Sequence, residues 1–210
     1  MKQKFEDYPR NVIYKLESSL DTFLKHNLNI TVQYQVIKQL KENLKDHEIL
    51  VHLDFSENYC LKYNEEIQFF HFGGGREQVS LHTGVLYYKD NDAGVFRTKS
   101  FCTISDCLKH DARALKMAQT AVPYEIVHFL SDSPSSQYRN KTKFYMIIKL
   151  QDINLNIRRV TWNYQESGHR KGAPDGIGAV VKRTAVNFVK YGGDVGTYED
   201  FWALVTKNIL

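Results

Sequence analysis

The spacing of apolar positions changes along this chain. Over residues 9–25, Val12, Ile13, Leu16, Leu20, Phe23 and Leu24 recur at helical spacing on one face, and Pro9 suits a first helical turn. Asn27 and Asn29 mark a break. Residues 31–46 repeat the pattern through Val32, Val36, Ile37, Leu40 and Leu44, with Lys38, Lys41, Glu42 and Lys45 off the stripe. The pattern therefore predicts two helices, a helical lead-in that packs on the core. From Ile49 to Phe55 the run is apolar almost throughout, as a central strand covered on both faces requires. Residues 66–72 and 78–89 alternate as strands, with a hairpin connection through Gly73, Gly74 and Gly75. A turn cluster from Asp90 to Gly94 leads into residues 95–104, the third strand of a meander.

Helical and extended segments then alternate. A helix is expected from Cys107 to Thr120, capped by Ser105 or Asp106 and closed by Pro123. A strand follows at Ile126–Leu130, a helix at Gln137–Leu150 and a strand at Arg158–Tyr164. A long helix opens at Pro174, with Ile177, Val180, Val181, Thr184, Ala185 and Phe188 toward the core, and ends at Gly192 and Gly193. A short last helix from Thr197 packs Phe201, Leu204 and Val205. Three meander strands followed by alternating helix and strand predict an α/β fold of the ribonuclease H-like type. Its mixed five-stranded sheet is flanked by helices, with the first strand central and the fourth beside it. The expected division is residues 1–47 as lead-in and 48–210 as the catalytic-type domain.

Composition narrows the class. With 210 residues, 42% of them hydrophobic, the chain can bury one sizeable core. No apolar run approaches the ~18 residues of a membrane span. The segment Met1–Asp7 is charged and lacks the apolar centre of a signal peptide. Cys60, Cys102 and Cys107 are too few and too odd in number for a disulfide framework, so reduced thiols in an intracellular protein are expected. A net charge of +4 permits a nucleic-acid partner without demanding one.

The candidate chemistry lies in three acids. The run ending at Leu53 delivers Asp54, and the run Ile126–Ser131 delivers Asp132. The strand ending at Tyr164 leads through Gly168, His169, Arg170, Lys171 and Gly172 to Asp175 at a helix opening. Phosphodiester cleavage needs an activated nucleophile in line with a leaving oxygen, and two divalent ions roughly 3.5–4 Å apart supply both. Magnesium, or manganese in its place, takes a few hard carboxylate ligands and completes its shell with water and phosphate. In this scheme Asp54 bridges both ions, Asp132 holds one and Asp175 the other. Asp111 is a candidate fourth acid and Glu166 the rival third; Glu57, off the strand, is solvated by default. Each acid also has a plain structural role open to it: Asp54 can cap a turn, Asp132 can organise the Ser-Pro turn after it, and Asp175 can favour the positive end of its helix. His169 can orient water at a phosphate or bond to loop backbone. Arg170, Lys171, Lys182 and Arg183 near Asp175, and Arg139, Lys141 and Lys143 beyond Asp132, flank the acids with positive charge and suggest a path for DNA.

Other chemistries fit less well. Gly73–Gly75 lack the Gly-Lys-Ser/Thr ending of a phosphate loop. Cys102, Cys107 and His110 lack a fourth zinc ligand. Ser131, Ser133, Ser135 and Ser136 show no nucleophile-elbow pattern.

Several blocks carry a resemblance. They are Asp54 to Tyr59, Thr103 to Asp106 with Lys109, His110 and Asp111, Ser131 and Asp132 with Ser136 to Lys141, and His169 to Gly178 with Lys182, Arg183 and Thr184. Spread over most of residues 33–206, they resemble blocks of a large group of transposon-derived proteins of animal genomes. That group is similar to DDE/D transposases with a ribonuclease H-like catalytic core. The resemblance implies Asp54, Asp132 and Asp175 as the metal-binding triad, and DNA as the substrate for cleavage and strand transfer. It also implies a nuclear location, with a homo-oligomer among the possible assemblies. The chain departs from the pattern at Arg170, where a glycine is expected, and at Ser133, where glycine is common. No end-recognition domain is visible. The alternatives are a catalytically silent or domesticated module that binds DNA or a protein, and a small-molecule enzyme with an apolar pocket.

Overall fold

The computed structural model describes residues 8–65, 75–90, 94–108, 124–133, 137–153, 156–166 and 172–209. The strand expected at 66–72 lies outside the described residues, as do all but the first two residues of the helix expected from Cys107. The chain divides into two compact units, Met1–Glu42 and Asn43–Leu210.

The described part of the first unit holds one helix, α1 (Pro9–Glu42), continuous for 34 residues. This corrects the expectation of two helices parted at Asn27 and Asn29. Asparagine costs a helix only about 0.7 kcal/mol relative to alanine, against ~3 for proline, and Leu20, Leu24, Leu28 and Lys25 around it are good helix formers. The Thr31 hydroxyl donates back to the Asn27 carbonyl at 2.9 Å, along the helix rather than across a break. The helix stops at Glu42, before the expected Asp46, and Leu44 is already buried in the second unit.

The second unit is built on a five-stranded sheet in the order β3-β2-β1-β4-β5. β1 (Glu48–Cys60) is central. It pairs antiparallel with β2 (Gln78–Lys89), which pairs antiparallel with β3 (Phe96–Ser105). On its other side β1 runs parallel to β4 (Ile126–Ser131), and β4 parallel to β5 (Arg159–Tyr164). Among the described residues three helices accompany the sheet: α2 (Lys141–Ile153), α3 (Ala173–Lys190) and α4 (Tyr198–Ile209). The fold is therefore α/β, a mixed sheet flanked by helices.

Both faces of β1 are covered, which is why its apolar run is nearly unbroken. On one face Ile49, Val51 and Leu53 pack with Val127, Phe129 and Tyr138. On the other, toward its far end, Tyr59 joins Val79 and Leu81 of β2, Val181 and Ala185 of α3, and Phe201 and Val205 of α4. The inward stripe of α3 is Pro174, Gly178, Val181 and Ala185. Val180 and Phe188, expected inside, are 53% and 44% exposed. Gly178 and Ala185 let the helix lie close to the sheet, so small residues rather than large apolar ones mark its buried side. In the middle of the sheet, a Cβ at Gly84 would collide with the Phe101 ring and stand 2.9 Å from the His52 carbonyl oxygen. After α3, Gly192 takes φ +95°, the left-handed turn that ends the helix.

Candidate functional site

The parallel ladder between β1 and β4 ends at the pair Leu53–Ser131. Asp54 and Asp132 are each the next residue, on strands about 4.8 Å apart. Both are half-buried. Asp54 is not at the end of its strand, as the sequence had suggested. β1 runs on to Cys60, and Asp54 stays paired with Thr83 of β2, whose hydroxyl donates to the Asp54 carbonyl at 3.2 Å. Only the pairing with β4 stops there. This leaves Asp54 on a rigid, continuous strand, a firmer support than a loop.

Side chains alternate along a strand, so His52, Asp54 and Ser56 share a face. The start of α3 lies over that face. A Cβ at Gly172 would come within 2.9 Å of His52 Cε1, and one at Gly178 within 2.8 Å of Ser56 Oγ. Asp175 lies between those two glycines in sequence, so the first turn of α3 brings it over the part of β1 that carries Asp54. One of its oxygens is engaged locally: Oδ2 accepts the Gly172 N–H at 2.9 Å, one half of a capping box, since Gly172 has no side chain to return the bond. Asp132 likewise accepts the Ser133 N–H at 2.9 Å through Oδ1, just after β4. Glu166, the rival acid, is half-buried two residues beyond β5. Its neighbour Gln165 donates its N–H to the Ser131 carbonyl at 2.9 Å, so Glu166 leaves the sheet at the end where Asp132 does.

Under the opposite face lies a residue the sequence did not single out. Tyr138 is fully buried, and its hydroxyl is 3.1 Å from His82 Nε2. Its ring sits 5.7 Å from the Phe55 ring and 6.1 Å from that of Trp162. Burial pushes the phenol well above its ordinary pKa, and the charges of Asp54 and then Asp132 push it further. The hydroxyl therefore stays protonated next to the two acids. Tyr138 follows Asp132 by six residues within a block of the resemblance. That was the available signal, but nothing in the sequence showed that Tyr138 is buried under the sheet.

Lys143 needs correction as a surface phosphate contact. Its side chain is only 1% exposed, with Nζ 5.5 Å from the centre of the Tyr138 ring. Lys141 and Arg183 are exposed and Lys182 is half-buried. Arg139 is exposed, with its guanidinium 5.8 Å above the Tyr164 ring. His169, Arg170, Lys171 and Asp111 lie outside the described residues. Burial raises the Cys102 thiol to about 11, which leaves it protonated and unreactive.

Two carboxylates on adjacent strands are a hard-oxygen donor pair. Such a pair suits a magnesium-type ion, which takes one or two carboxylates and fills its shell with water and phosphate oxygens. The three acids do not close into one cluster. Among the described residues, no three His, Cys, Asp or Glu side chains gather closely enough to hold a metal ion. Among the same residues, no helix is long and apolar enough to cross a membrane.

A family model described as a domain of unknown function (DUF8701) matches residues 33–210. No curated protein matches the sequence.

Proposed function

We propose that this chain, which belongs to the DUF8701 family, is a divalent-metal-dependent phosphodiester-cleaving domain of ribonuclease H-like fold. Its substrate is DNA, and it serves as a transposase or nuclease core in the nucleus. The observation that carries the reading is the register of β1 and β4, which sets Asp54 beside Asp132 while α3 presents Asp175 over the same strand. The sheet order, with β2 as the antiparallel neighbour of a central β1, agrees with the expected topology.

Bound Mg²⁺ or Mn²⁺ would supply an activated nucleophile and a stabilised leaving oxygen. Asp54 and Asp132 would hold one ion between them, with Asp175, or Glu166 in its place, completing a second site. The buried Tyr138–His82 pair positions this end of the sheet from below. Exposed Lys141 and Arg183, with Lys182, would neutralise the phosphates of a strand lying across the acids.

One observation favours a second reading, a catalytically silent module that binds DNA or a protein: Asp175 uses an oxygen to cap its own helix, and no three-acid cluster forms among the described residues. Calorimetric titration of Mn²⁺ into the parent, Asp54→Asn and Asp132→Asn chains, followed by cleavage of end-labelled DNA, separates the two readings. The enzyme reading expects binding in the parent, loss in both variants, and metal-dependent cleavage by the parent alone. It is overturned if the parent binds no metal even with DNA present, or if both variants bind as the parent does.

A further inference from the structure

α1 poses a problem that the rest of the chain does not. It is 34 residues long and none of its residues is fully buried, though Ile30, Gln33, Ile37 and Leu40 are half-buried. Ile13, Leu16, Phe23 and Tyr34 are each more than half exposed, at 57%, 64%, 57% and 73%. Helices in proteins draw most of their stability from packing an apolar face, and a helix without such packing is marginal in water. From Ile13 onward the apolar residues also follow a seven-residue repeat. Ile13, Leu20, Asn27 and Tyr34 recur every seven residues. So do Leu16, Phe23, Ile30 and Ile37, three places later. These are the a and d positions of a coiled coil, and seven of the eight are apolar. The exception, Asn27, is the residue best known for fixing register and two-strandedness at an a position.

We infer that α1 pairs with α1 of a second copy of this chain in a parallel, in-register, two-stranded coiled coil, with Asn27 facing Asn27. The repeat is self-complementary, which a second copy satisfies without any further chemistry. The flanking positions do not oppose it. In a parallel pair Ser19 faces Leu24, His26 faces Thr31 and Gln33 faces Lys38, and none of these is a like-charged pair at neutral pH. The area is also sufficient. Five exposed apolar seam side chains, each covering on the order of 100 Å², and the half-buried Ile30 and Ile37, each covering about half that, remove roughly 600 Å² per chain, approaching the ~800 Å² per partner of a standard specific interface. The same repeat explains why Asn27 does not break the helix: it occupies a seam position in a helix that continues on both sides.

The test is sedimentation equilibrium on the full chain. The parent is expected at twice the chain mass. Leu20→Asp and Ile30→Asp, both in the seam, are expected to return it to the mass of one chain. Leu28→Asp, one place off the seam on a leucine more exposed than Leu20 (62% against 45%), is expected to leave the dimer intact. Orientation is read from Leu16→Cys, which should form a covalent dimer under mild oxidation beyond any formed by the parent's own thiols. Only a parallel pair brings the two copies of that position together. Thermal unfolding of each variant checks that the second unit remains folded. A parent of single-chain mass overturns the inference, as does equal disruption by Leu28→Asp or failure of Leu16→Cys to cross-link a dimeric parent.

Discussion

The Tyr138 hydroxyl lies 3.1 Å from His82 Nε2, and the charges of Asp54 and Asp132 both act on it. A protonated phenol is thus built in next to two carboxylates, on the opposite side of the sheet from α3. Tyr138→Phe keeps the ring and its packing on Phe55 and Trp162 but removes the hydroxyl bonded to His82 Nε2. It is expected to cost about 1–3 kcal/mol in denaturant-induced unfolding, the range for breaking one buried hydrogen bond. A cost below the error of the measurement would show that the hydroxyl contributes nothing to this end of the sheet.

Asp175 has a structural role that can be separated from the proposed ligand role. Its carboxylate caps α3 through the Gly172 N–H. Asp175→Ala should destabilise the fold by about 1 kcal/mol, and Asp175→Asn by less, since the amide oxygen of asparagine can still accept the Gly172 N–H. If the acid also binds metal, both variants should lose Mn²⁺ affinity alike. Retained affinity in Asp175→Asn would transfer the third position to Glu166.

Gly178 sets how closely α3 approaches β1. A Cβ there would stand 2.8 Å from Ser56 Oγ and 3.1 Å from Ser56 Cβ. Gly178→Ala is therefore expected to destabilise by about 1–3 kcal/mol, the usual cost of overpacking, despite the better helix propensity of alanine. The double variant with Ser56→Gly should recover most of the loss. Calorimetric melting temperatures of the two variants check this, and no recovery would place the strain elsewhere.

His128 makes stability depend on pH. It is 6% exposed, and its Nδ1 lies 2.7 Å from the Thr161 hydroxyl oxygen. Burial lowers its pKa; Glu48 opposes this in part and Arg159 adds to it. The folded pKa is thus below the unfolded value near 6.5, so folding favours the neutral ring. This contribution is complete above about pH 6.5 and is lost as pH falls through the folded value. Subtracting the unfolding free energy of His128→Gln from that of the parent at pH 7.5 and pH 5 isolates it from His52 and His82. The difference should shrink at pH 5, and a constant difference would mean that His128 is not buried neutral.

Much of the fold was legible because period reports exposure. Ile49–Phe55, Ile126–Leu130 and Arg158–Tyr164 lie on strands within a residue or two, since a continuous apolar run bounded by turn residues has few other uses. Pro174 and Gly192 bounded α3 through their own backbone constraints. The boundary at Phe55 was misplaced because β1 runs on through Ser56, Glu57 and Asn58. Those residues are polar, and they are held in the strand by β2 rather than by local preference. The inward side of α3 was misjudged at Val180 and Phe188 because hydrophobicity alone does not reveal how near a helix must lie to its sheet.

By itself, the sequence determined the α/β class, the order of the strands and helices described after Val95, and the three acids worth attention, because these depend on local period, turn chemistry and residue type. It also held the heptad of α1, although Asn27 reads as a break until the helix is seen to continue. Tertiary structure alone decided the rest. Register placed Asp54 beside Asp132, since pairing between distant strands is not encoded within either one. Close packing at Gly172 and Gly178 set Asp175 over β1. Packing at the start of α2 buried Tyr138 and Lys143, where a neutral phenol and a covered lysine meet electrostatics that no window of sequence contains.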